Sequence, residues 1–191
     1  GVNEAGEKKL LAVEPGYRES KDSWSFVLRD LMKRGLSAPL LAIGDGALGF
    51  WSAMNDVMPK VKQQRCWFHK MGNVLNELPK RLQNKARDMM REMMRADSET
   101  DAGAALADFK AAFSAKHEKA VELLEKDWPE LTAYFKFPAL HWRSIRTTNP
   151  IESTFATVKL RTKVTKGAGS PKAASTMAFK LMLEAEKRWR R

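Results

Sequence analysis

The sequence predicts an α/β protein in which a long all-helical segment interrupts the alternation of strands and helices. The apolar run Leu40–Ile43 follows a proline and is typical of a short, fully buried strand. A second strand-like run, Val61–Phe68, follows after a short helical stretch, and this order is typical of a sheet with parallel neighbours. From residue 79 to 138 the apolar spacing is helical throughout, so this part interrupts the sheet pattern.

The first residues predict a hairpin followed by a helix. Turn-forming residues at Asn3–Gly6 separate Gly1-Val2 from the run Lys9–Val13, as expected for two antiparallel strands. A helix should begin at Ser20 and end at Gly35, because apolar residues recur between them at i, i+3, i+4 and i+7. Those residues are Trp24, Val27, Leu28 and Leu31.

A short helix is expected after the buried strand and should end at Pro59, because proline cannot continue helical hydrogen bonding. Its apolar residues are Phe50, Trp51, Met54 and Met58. Since the strand Val61–Phe68 then follows, the order strand, helix, strand completes the α/β pattern.

After Lys70 the apolar spacing becomes helical. The expected helices are one that ends at Pro79, one that carries Leu82–Met94, one opened by the capping-box pattern Ser98–Asp101, and one closed by Trp128-Pro129. The methionines of this segment fit core packing better than a binding surface.

The C-terminal third is expected to contain a linker and two helices. The linker begins at Phe137-Pro138. Asn149-Pro150 is a typical helix start, with Asn as the cap and Pro at the first helical position. A flexible loop at Gly167–Gly169 precedes the last helix, which begins at Ser170-Pro171.

Composition and charge favour a nucleic-acid partner. The 191 residues include 34 Lys and Arg against 23 Asp and Glu, a formal charge of +11, which favours binding to a polyanion. A merely basic globular protein is the alternative.

The single cysteine, Cys66, excludes an internal disulfide and is compatible with a reducing cytosol. No apolar run approaches the roughly 18 residues of a membrane span, and the start at Gly1 without a signal peptide indicates a piece of a longer protein.

Asp45 is the first candidate site residue. It follows the buried strand and lies between Gly44 and Gly46, whose missing side chains allow a ligand to approach closely. A carboxylate at the end of a buried strand is costly unless a cation meets it, so one interpretation is a metal ligand. The alternative is an ordinary turn, because Asp-Gly is a common turn dipeptide.

Glu152 is the second candidate acid. With Asn149 as the cap it would be the third helical residue, where a glutamate often bonds back to the cap amide. The functional interpretation is that Glu152 projects towards Asp45 and shares a metal ion with it. Lys159 lies about two turns further along the same helix face, where it could hold a phosphate beside that ion.

Cys66 and His69 form a Cys-x-x-His pair at the end of a predicted strand. The pair could supply half of a structural zinc site, with His117, His141 or carboxylates completing the four ligands. Because the chain has one cysteine, a buried thiol and a hydrogen-bonded histidine near the site are the preferred interpretation.

Basic side chains lie on both sides of Glu152 in the chain. Cations around an acidic pocket would suit a phosphodiester substrate, because Arg and Lys bind the phosphates next to the reacting one. The alternative is a solvated helix face, the common fate of scattered lysines. The basic residues are Arg143 and Arg146 before Glu152, and Lys159, Arg161, Lys163 and Lys166 after it.

The order of the motifs is more specific than any one of them. Along the chain they are Gly1-Val2-Asn3, Gly44-Asp45-Gly46-x-x-Gly49-Phe50, Arg65-Cys66-x-x-His69, a helical insertion, and Asn149-Pro150-Ile151-Glu152. This order resembles the Mutator-type transposases of bacterial insertion sequences, and the resemblance covers essentially the whole chain. The role of the Cys66 and His69 motif is left open by it.

The resemblance implies a ribonuclease H-like core, a mixed sheet flanked by helices, that carries an Asp, Asp, Glu triad. Asp45 would be the second Asp, Glu152 the Glu, and Lys159 the basic residue seven places later. Two Mg²⁺ ions, or Mn²⁺ in their place, would lie between the acids and support DNA strand cleavage and strand transfer at the element ends.

The implied domains are a first part of the core at residues 1–78 without its first strand, a helical insertion at 79–138, and a second part of the core at 139–191. The first Asp of the triad would lie upstream of Val2, so the chain alone is expected to be inactive. An incomplete sheet would expose apolar faces and strand edges, which makes a homodimer the expected state.

The expected partners are therefore DNA, at element ends and target sites, and a second copy of the chain, with no membrane. The expected location is the bacterial cytoplasm, in association with the nucleoid. Two other functions stay open: a non-enzymatic basic nucleic-acid-binding protein, and a helical regulatory remnant that binds partners only.

Overall fold

The computed structural model describes residues 1–3, 5–14, 20–164 and 169–189, which are mostly helical. Glu4 of the predicted turn, Lys166 and the loop residues Gly167-Ala168 lie outside the described residues. The strands are β1 (Leu41–Gly44) and β2 (Lys62–Arg65). The helices are α1 (Lys21–Lys33), α2 (Leu48–Val57), α3 (Trp67–Asn76), α4 (Lys80–Arg95), α5 (Glu99–Lys126), α6 (Trp128–Leu131), α7 (Ala139–Ile145), α8 (Asn149–Val164) and α9 (Pro171–Glu186), with a 3₁₀ turn at Ala133–Lys136. Across these residues, none of the helices combines the length and apolarity that crossing a membrane requires.

The sheet of the described residues consists of two parallel strands. β1 pairs with β2 in a register that runs from Leu41↔Lys62 to Gly44↔Arg65. This pairing confirms the strand, helix, strand order at residues 41–65 and the parallel neighbours. It does not extend to the mixed sheet expected of a ribonuclease H-like core, so that core stays a proposal.

The predicted strand Val61–Phe68 is only half strand. β2 stops at Arg65, Cys66 is the N-cap of α3, and Trp67 is the first helical residue. The apolar pair Trp67 and Phe68 made the run look like a longer strand. Trp67 and Met71, four residues apart, are instead buried on one face of helix α3. Helical periodicity therefore prevails over local apolarity at this boundary.

The N-terminal hairpin forms only as an isolated antiparallel bridge between Val2 and Lys8. Lys9–Val13 is not a strand, so that prediction is wrong. The Lys9 amide still donates to the Gly1 carbonyl at 2.8 Å, as in the predicted hairpin, but the next amide, that of Leu10, donates to the Glu186 carboxylate at 3.1 Å.

The chain forms two compact units. Unit 1 contains Gly1–Ala38, Leu48–Lys60 and Asn149–Arg191, and unit 2 contains Pro39–Ala47 and Val61–Thr148. These units follow contacts between residues rather than the order of the chain. The predicted division into a core and a helical insertion therefore stays a prediction.

In unit 1, α1 packs against α2 and α8 packs against α9. As predicted, α1 begins after Ser20, whose side chain accepts a hydrogen bond from the Ser23 amide in a capping box. The rings of Trp24 and Phe50 join α1 to α2, with centroids 4.9 Å apart in an edge-to-face arrangement. Ser170 caps α9, with its side chain accepting a hydrogen bond from the Ala173 amide at 3.2 Å.

In unit 2, a helical core extends from α3 to α7, which confirms the helical reading of residues 79–138. The third and fourth predicted helices together make up α5, in which His117 departs from helical geometry (φ −141°, ψ 45°) and separates the two. One detail differs from expectation. The expected linker after Phe137 is helix α7, with Pro138 as its N-cap. The largest fully buried side chains include Trp67, Met90, Met93, Phe109, Leu124 and Tyr134, so the methionines are core residues as predicted.

Gln64 is a fully buried polar residue that joins β2 to this helical core. Its side-chain amide nitrogen donates to the carbonyl oxygens of Arg65 at 2.8 Å and Leu131 at 3.1 Å. Its side-chain oxygen accepts from the Tyr134 amide at 2.8 Å. One residue therefore satisfies backbone groups on β2, at the end of α6 and in the 3₁₀ turn.

Gln64→Leu should lower the free energy of unfolding by about 1–3 kcal/mol, because the buried Tyr134 amide loses its acceptor while the Leu131 carbonyl keeps the Trp67 indole as a donor. Guanidinium denaturation monitored by circular dichroism measures this change. Asn73→Leu, at an exposed position on α3, is the control and should cost less than about 1 kcal/mol. Equal losses in the two variants would contradict the role given to the Gln64 hydrogen bonds.

Candidate functional site

Asp45 directly follows β1 at its carboxyl end and is exposed. Its Oδ1 accepts a hydrogen bond from the Ala47 amide at 3.1 Å, a bond that Asp commonly makes in turns. Its Oδ2 accepts no hydrogen bond within the part of the chain that the structure describes. The turn interpretation therefore holds, and it leaves one carboxylate oxygen available to a cation.

Gly46 allows a protein cation to reach this turn. Its φ of 101° lies in the left-handed region that favours glycine. A Cβ at Gly46 would lie 1.3 Å from Nη1 of Arg65, so the guanidinium occupies the space of any side chain there. Arg65 is the last residue of β2 and lies opposite Gly44 in the register. The glycines predicted a close approach by a ligand or another backbone, and the group that approaches Gly46 is instead the Arg65 side chain.

Arg65 belongs to a partly buried ion network. Its Nε lies 3.4 Å from Oδ2 of Asp127, and Nζ of Lys70 lies 2.7 Å from the same oxygen. The Lys70 ammonium also donates to the Leu123 carbonyl at 2.5 Å. Lys70 is only 3% exposed and Asp127 is 21% exposed. Burial lowers the pKa of Lys70 from its ordinary value, and the hydrogen bond and charge of Asp127 oppose this change.

Cys66 holds the chain segment that precedes α8. Its sulfur is fully buried and accepts hydrogen bonds from both the amide and the hydroxyl of Thr148, each at 3.3 Å. Next to it, the Trp67 amide donates to the Arg146 carbonyl at 3.1 Å. The junction of β2 and α3 is therefore hydrogen-bonded to Arg146 and Thr148, which lie just before α8 begins at Asn149.

His69 lies in the first turn of α3, and one of its ring nitrogens is within 4.8 Å of the Cys66 sulfur. A structural zinc site needs four ligands. Neither His117 nor His141 forms a ligand cluster with this pair among the described residues. The hydrogen bonds from Thr148 instead agree with the interpretation of Cys66 as a buried, bonded thiol.

Glu152 lies in the first turn of α8 and is half-buried. Further along α8, Lys159, Arg161 and Lys163 are exposed. Glu152 belongs to unit 1 and Asp45 to unit 2, so a common metal pocket stays a prediction.

Arg143 and Arg146 differ in their surroundings. Arg143 is exposed, so its guanidinium is accessible to a phosphate. Arg146 is half-buried and donates through Nη1 to the Met94 carbonyl at 2.6 Å, near the C-terminus of α4, where a cation is favoured by the helix dipole. Burial lowers the pKa of Arg146. A DNA-binding role stays a prediction for both residues.

Sequence reasoning missed Asp127, Lys70 and Thr148. Lys70 could have been recognised from the sequence. It lies on the same helix face as apolar residues such as Trp67 and Met71, and a lysine in such a position indicates a buried ion pair. Asp127 and Thr148 carried none, because both stand in ordinary helix-boundary positions. Their importance depends on contacts with residues more than fifty positions away in the chain.

Comparisons with known proteins agree with these motifs. The family model described as "Transposase, Mutator family" matches residues 1–191. The transposase for insertion sequence element IS6120 of Mycolicibacterium smegmatis is 53% identical over 190 residues, which cover 100% of this chain and 59% of that protein. The transposase for insertion sequence element IST2 of Acidithiobacillus ferrooxidans is also 53% identical over 190 residues, covering 99% of this chain and 64% of that protein. The chain thus spans less than two thirds of the length of either relative. Because the family model matches from the first residue to the last, the resemblance carried by Asp45, Cys66 and Glu152 is confirmed, and the chain belongs to the Mutator family of transposases.

Proposed function

We propose that this chain is the catalytic portion of an insertion-sequence transposase, in which Asp45 and Glu152 together hold divalent cations for DNA strand cleavage and strand transfer. Two relatives that match the whole length of the chain are transposases for insertion sequence elements. The observation that carries the proposal is the exposed Asp45 carboxylate, which ends a strand and keeps one oxygen without a partner among the described residues. The proposed core is ribonuclease H-like, with residues 79–138 as its helical insertion.

The residues fit Mg²⁺, with Mn²⁺ as an alternative. Mg²⁺ prefers oxygen ligands, keeps several of its waters, and is commonly bound through one or two carboxylates. An exposed Asp45 leaves room for such waters, and Glu152 supplies a second carboxylate. The Cys66 sulfur and the His69 ring nitrogens are softer donors, more typical of zinc, and Cys66 is already hydrogen-bonded by Thr148.

When bound at Asp45 and Glu152, two such ions would supply activation of a water or a 3′-hydroxyl and charge stabilisation for the leaving oxygen of a phosphodiester. The side chains of this chain orient and bind. The Ala47 amide fixes the Asp45 carboxylate, so little conformational entropy is lost when a cation is bound. In this proposal the exposed Lys159 and Arg143 each bind a DNA phosphate other than the reacting one.

The first Asp of the triad has no counterpart within residues 1–191 in this proposal. We therefore expect the chain alone to bind a cation and DNA but not to complete strand transfer. We also propose a homodimer, which would cover exposed apolar side chains on α8 and α9. Those side chains are Phe155, Leu160, Val164, Phe179 and Leu183.

Removing either acid should weaken Mn²⁺ binding to the chain by at least about tenfold, since each carboxylate supplies a direct ligand. The measurement is the free Mn²⁺ signal in electron paramagnetic resonance, with Asp45→Asn and Glu152→Gln compared with the unchanged chain. Asp108→Asn, at an exposed position on α5, is the matched control and should bind as the unchanged chain does. If Asp45→Asn bound Mn²⁺ with unchanged affinity, the proposed site would be wrong.

Lys159→Ala and Lys163→Ala should each weaken binding to duplex DNA and reduce the steepness of its salt dependence. Each phosphate contact removed lowers the slope of log affinity against log salt by about 0.9. Fluorescence anisotropy across a salt series measures that slope. Lys116→Ala, which removes an exposed lysine on α5, is the control and should leave the slope unchanged. If all three variants lowered the slope equally, the lysines would contribute only through the net charge of the protein.

A non-enzymatic nucleic-acid-binding or regulatory protein is the second candidate. The hydrogen bond between Ala47 and Asp45 favours it, because that bond gives Asp45 a structural role without any metal. Salt-dependent DNA binding without Mn²⁺ binding would select this function. Mn²⁺ binding that depends on Asp45 and Glu152 would exclude it.

A further inference from the structure

Two consecutive residues at the end of β2 contact the chain segments that carry the two acids. The Arg65 guanidinium lies against Gly46, the residue after Asp45. The Cys66 sulfur accepts two hydrogen bonds from Thr148, which precedes Glu152 by four residues in the sequence. These contacts all lie within unit 2.

The backbone next to these two residues is also held by hydrogen bonds. The Cys66 amide donates to the Gly44 carbonyl at 2.8 Å and so continues the ladder between the strands to the residue before Asp45. The next amide, that of Trp67, donates to the Arg146 carbonyl at 3.1 Å. Trp67 is fully buried, so the side chains of Arg65 and Cys66 are presented from a rigid position.

We propose that Arg65 and Cys66 are positioning residues, Arg65 for the Asp45 turn and Cys66 for the segment that leads into the Glu152 helix. The inference rests on the proposed function, because it concerns the two acids assigned to cation binding there. It also gives a role to the cysteine of the Cys-x-x-His motif, as an anchor for residues 146–148.

The chemistry of each residue suits this role. Asp127 holds Arg65 by an ion pair and is itself held by Lys70, so the guanidinium is kept against Gly46. Sulfur is a large, weak acceptor that can serve two donors at 3.3 Å, whereas a serine oxygen would need both donors about 0.5 Å closer. Cys66→Ser should therefore keep part of the function of Cys66, and Cys66→Ala should lose it.

Amide hydrogen exchange on the 191-residue chain, followed by NMR, tests each contact separately. Arg65→Ala should speed exchange of the Ala47 amide by about tenfold or more and leave the Thr148 amide nearly unchanged. Cys66→Ala should do the opposite. Val74→Ala, which opens a cavity in the helical core, is the matched destabilised control. It should change the exchange rates of the Ala47 and Thr148 amides by similar factors. The proposal would be overturned if the exchange rates of both amides rose by the same factor in Arg65→Ala and again in Cys66→Ala.

Mn²⁺ affinity is the second readout, because a merely structural loss would not change it. Arg65→Ala and Cys66→Ala should each weaken Mn²⁺ binding by about tenfold, while Arg65→Gln and Cys66→Ser weaken it less and Val74→Ala does not. Unchanged Mn²⁺ affinity in both alanine variants, in a chain whose binding depends on Asp45, would overturn the positioning role alone. A chain that binds no Mn²⁺ at all would instead overturn the proposed function, and the positioning role with it.

Discussion

Asp127→Asn should lower the free energy of unfolding by about 3–5 kcal/mol, the cost typical of breaking a buried ion pair from one side. The change keeps the size of the side chain but removes its charge. Lys70 is only 3% exposed, so its ammonium would be left in the protein interior beside Arg65 with no counter-charge from Asp127. Chemical denaturation monitored by circular dichroism measures the loss.

The matched variant is Lys70→Met, which removes the other partner. It should cost less, about 1 kcal/mol, because Asp127 keeps Arg65 as a partner and the apolar side chain suits the buried position. The predicted asymmetry follows from burial, since Lys70 is the more buried of the two charges. Equal losses in Asp127→Asn and Lys70→Met would contradict it.

The pH dependence of the Asp127→Asn protein provides a second check. Burial lowers the pKa of Lys70 below its ordinary value of 10.5, and Asp127 opposes this shift, so losing Asp127 should lower the pKa of Lys70 further. Between that lowered pKa and 10.5 the unfolded chain binds more protons than the folded chain, and stability therefore rises with pH. Denaturation at several alkaline pH values should show Asp127→Asn regaining part of its lost stability relative to the unchanged protein.

Gly46→Ala should lower the free energy of unfolding by about 2–3 kcal/mol, from two separate causes. A φ of 101° strains any residue with a Cβ. The added methyl group would also meet the Arg65 guanidinium, which would have to leave its place beside Asp127. Denaturant unfolding of the single variant measures the sum of the two effects.

Two other glycines separate these causes. Gly35 has a φ of 97° with no heavy atom within 4 Å of its Cβ position, so Gly35→Ala should cost only the strain, about 1–2 kcal/mol. Gly72 lies within α3, without positive φ and with open space around it, so Gly72→Ala should stabilise by about 0.5–1 kcal/mol. In an Arg65→Ala background, Gly46→Ala should cost no more than Gly35→Ala. A cost equal to that in the unchanged protein would contradict the contact with Arg65.

Local patterns in the sequence predicted most helices and the position of the first strand. The prediction that this strand is fully buried is wrong, because Leu41–Ile43 are half-buried and Leu40 is exposed. Ser20, Ser170 and Pro59 mark boundaries through the chemistry of one or two neighbouring residues, and the structure places the boundaries there. The strand at Leu41–Gly44 was recognisable because a short apolar run after proline has few other structures available to it.

The predictions that failed depended on distant partners. Lys9–Val13 has strand-like residues, but a strand needs a neighbour, and the Leu10 amide is bonded by Glu186 instead. The early end of β2 depends on how Trp67 is buried in the helical core. No pattern within a few residues contains that information.

The candidate site shows the same division. Asp45, Cys66 and Glu152 were identified from motifs whose order matches a family over the whole chain. The partners of these motifs, such as Thr148 for Cys66 and Asp127 for Arg65, come from positions far away in the sequence. Their contribution became visible only when the distances were known.

Mn²⁺ binding to a chain that carries both Asp45→Asn and Glu152→Gln is the most direct test of a cation site shared by the two acids. If both carboxylates hold the same ions, each single variant already loses the tight binding, and the double variant is little weaker than the weaker single one. If the acids belong to separate sites, each single variant keeps part of the bound Mn²⁺ at the original affinity, and the two losses add in the double variant. The first result is the one expected here, and the second would contradict a shared site.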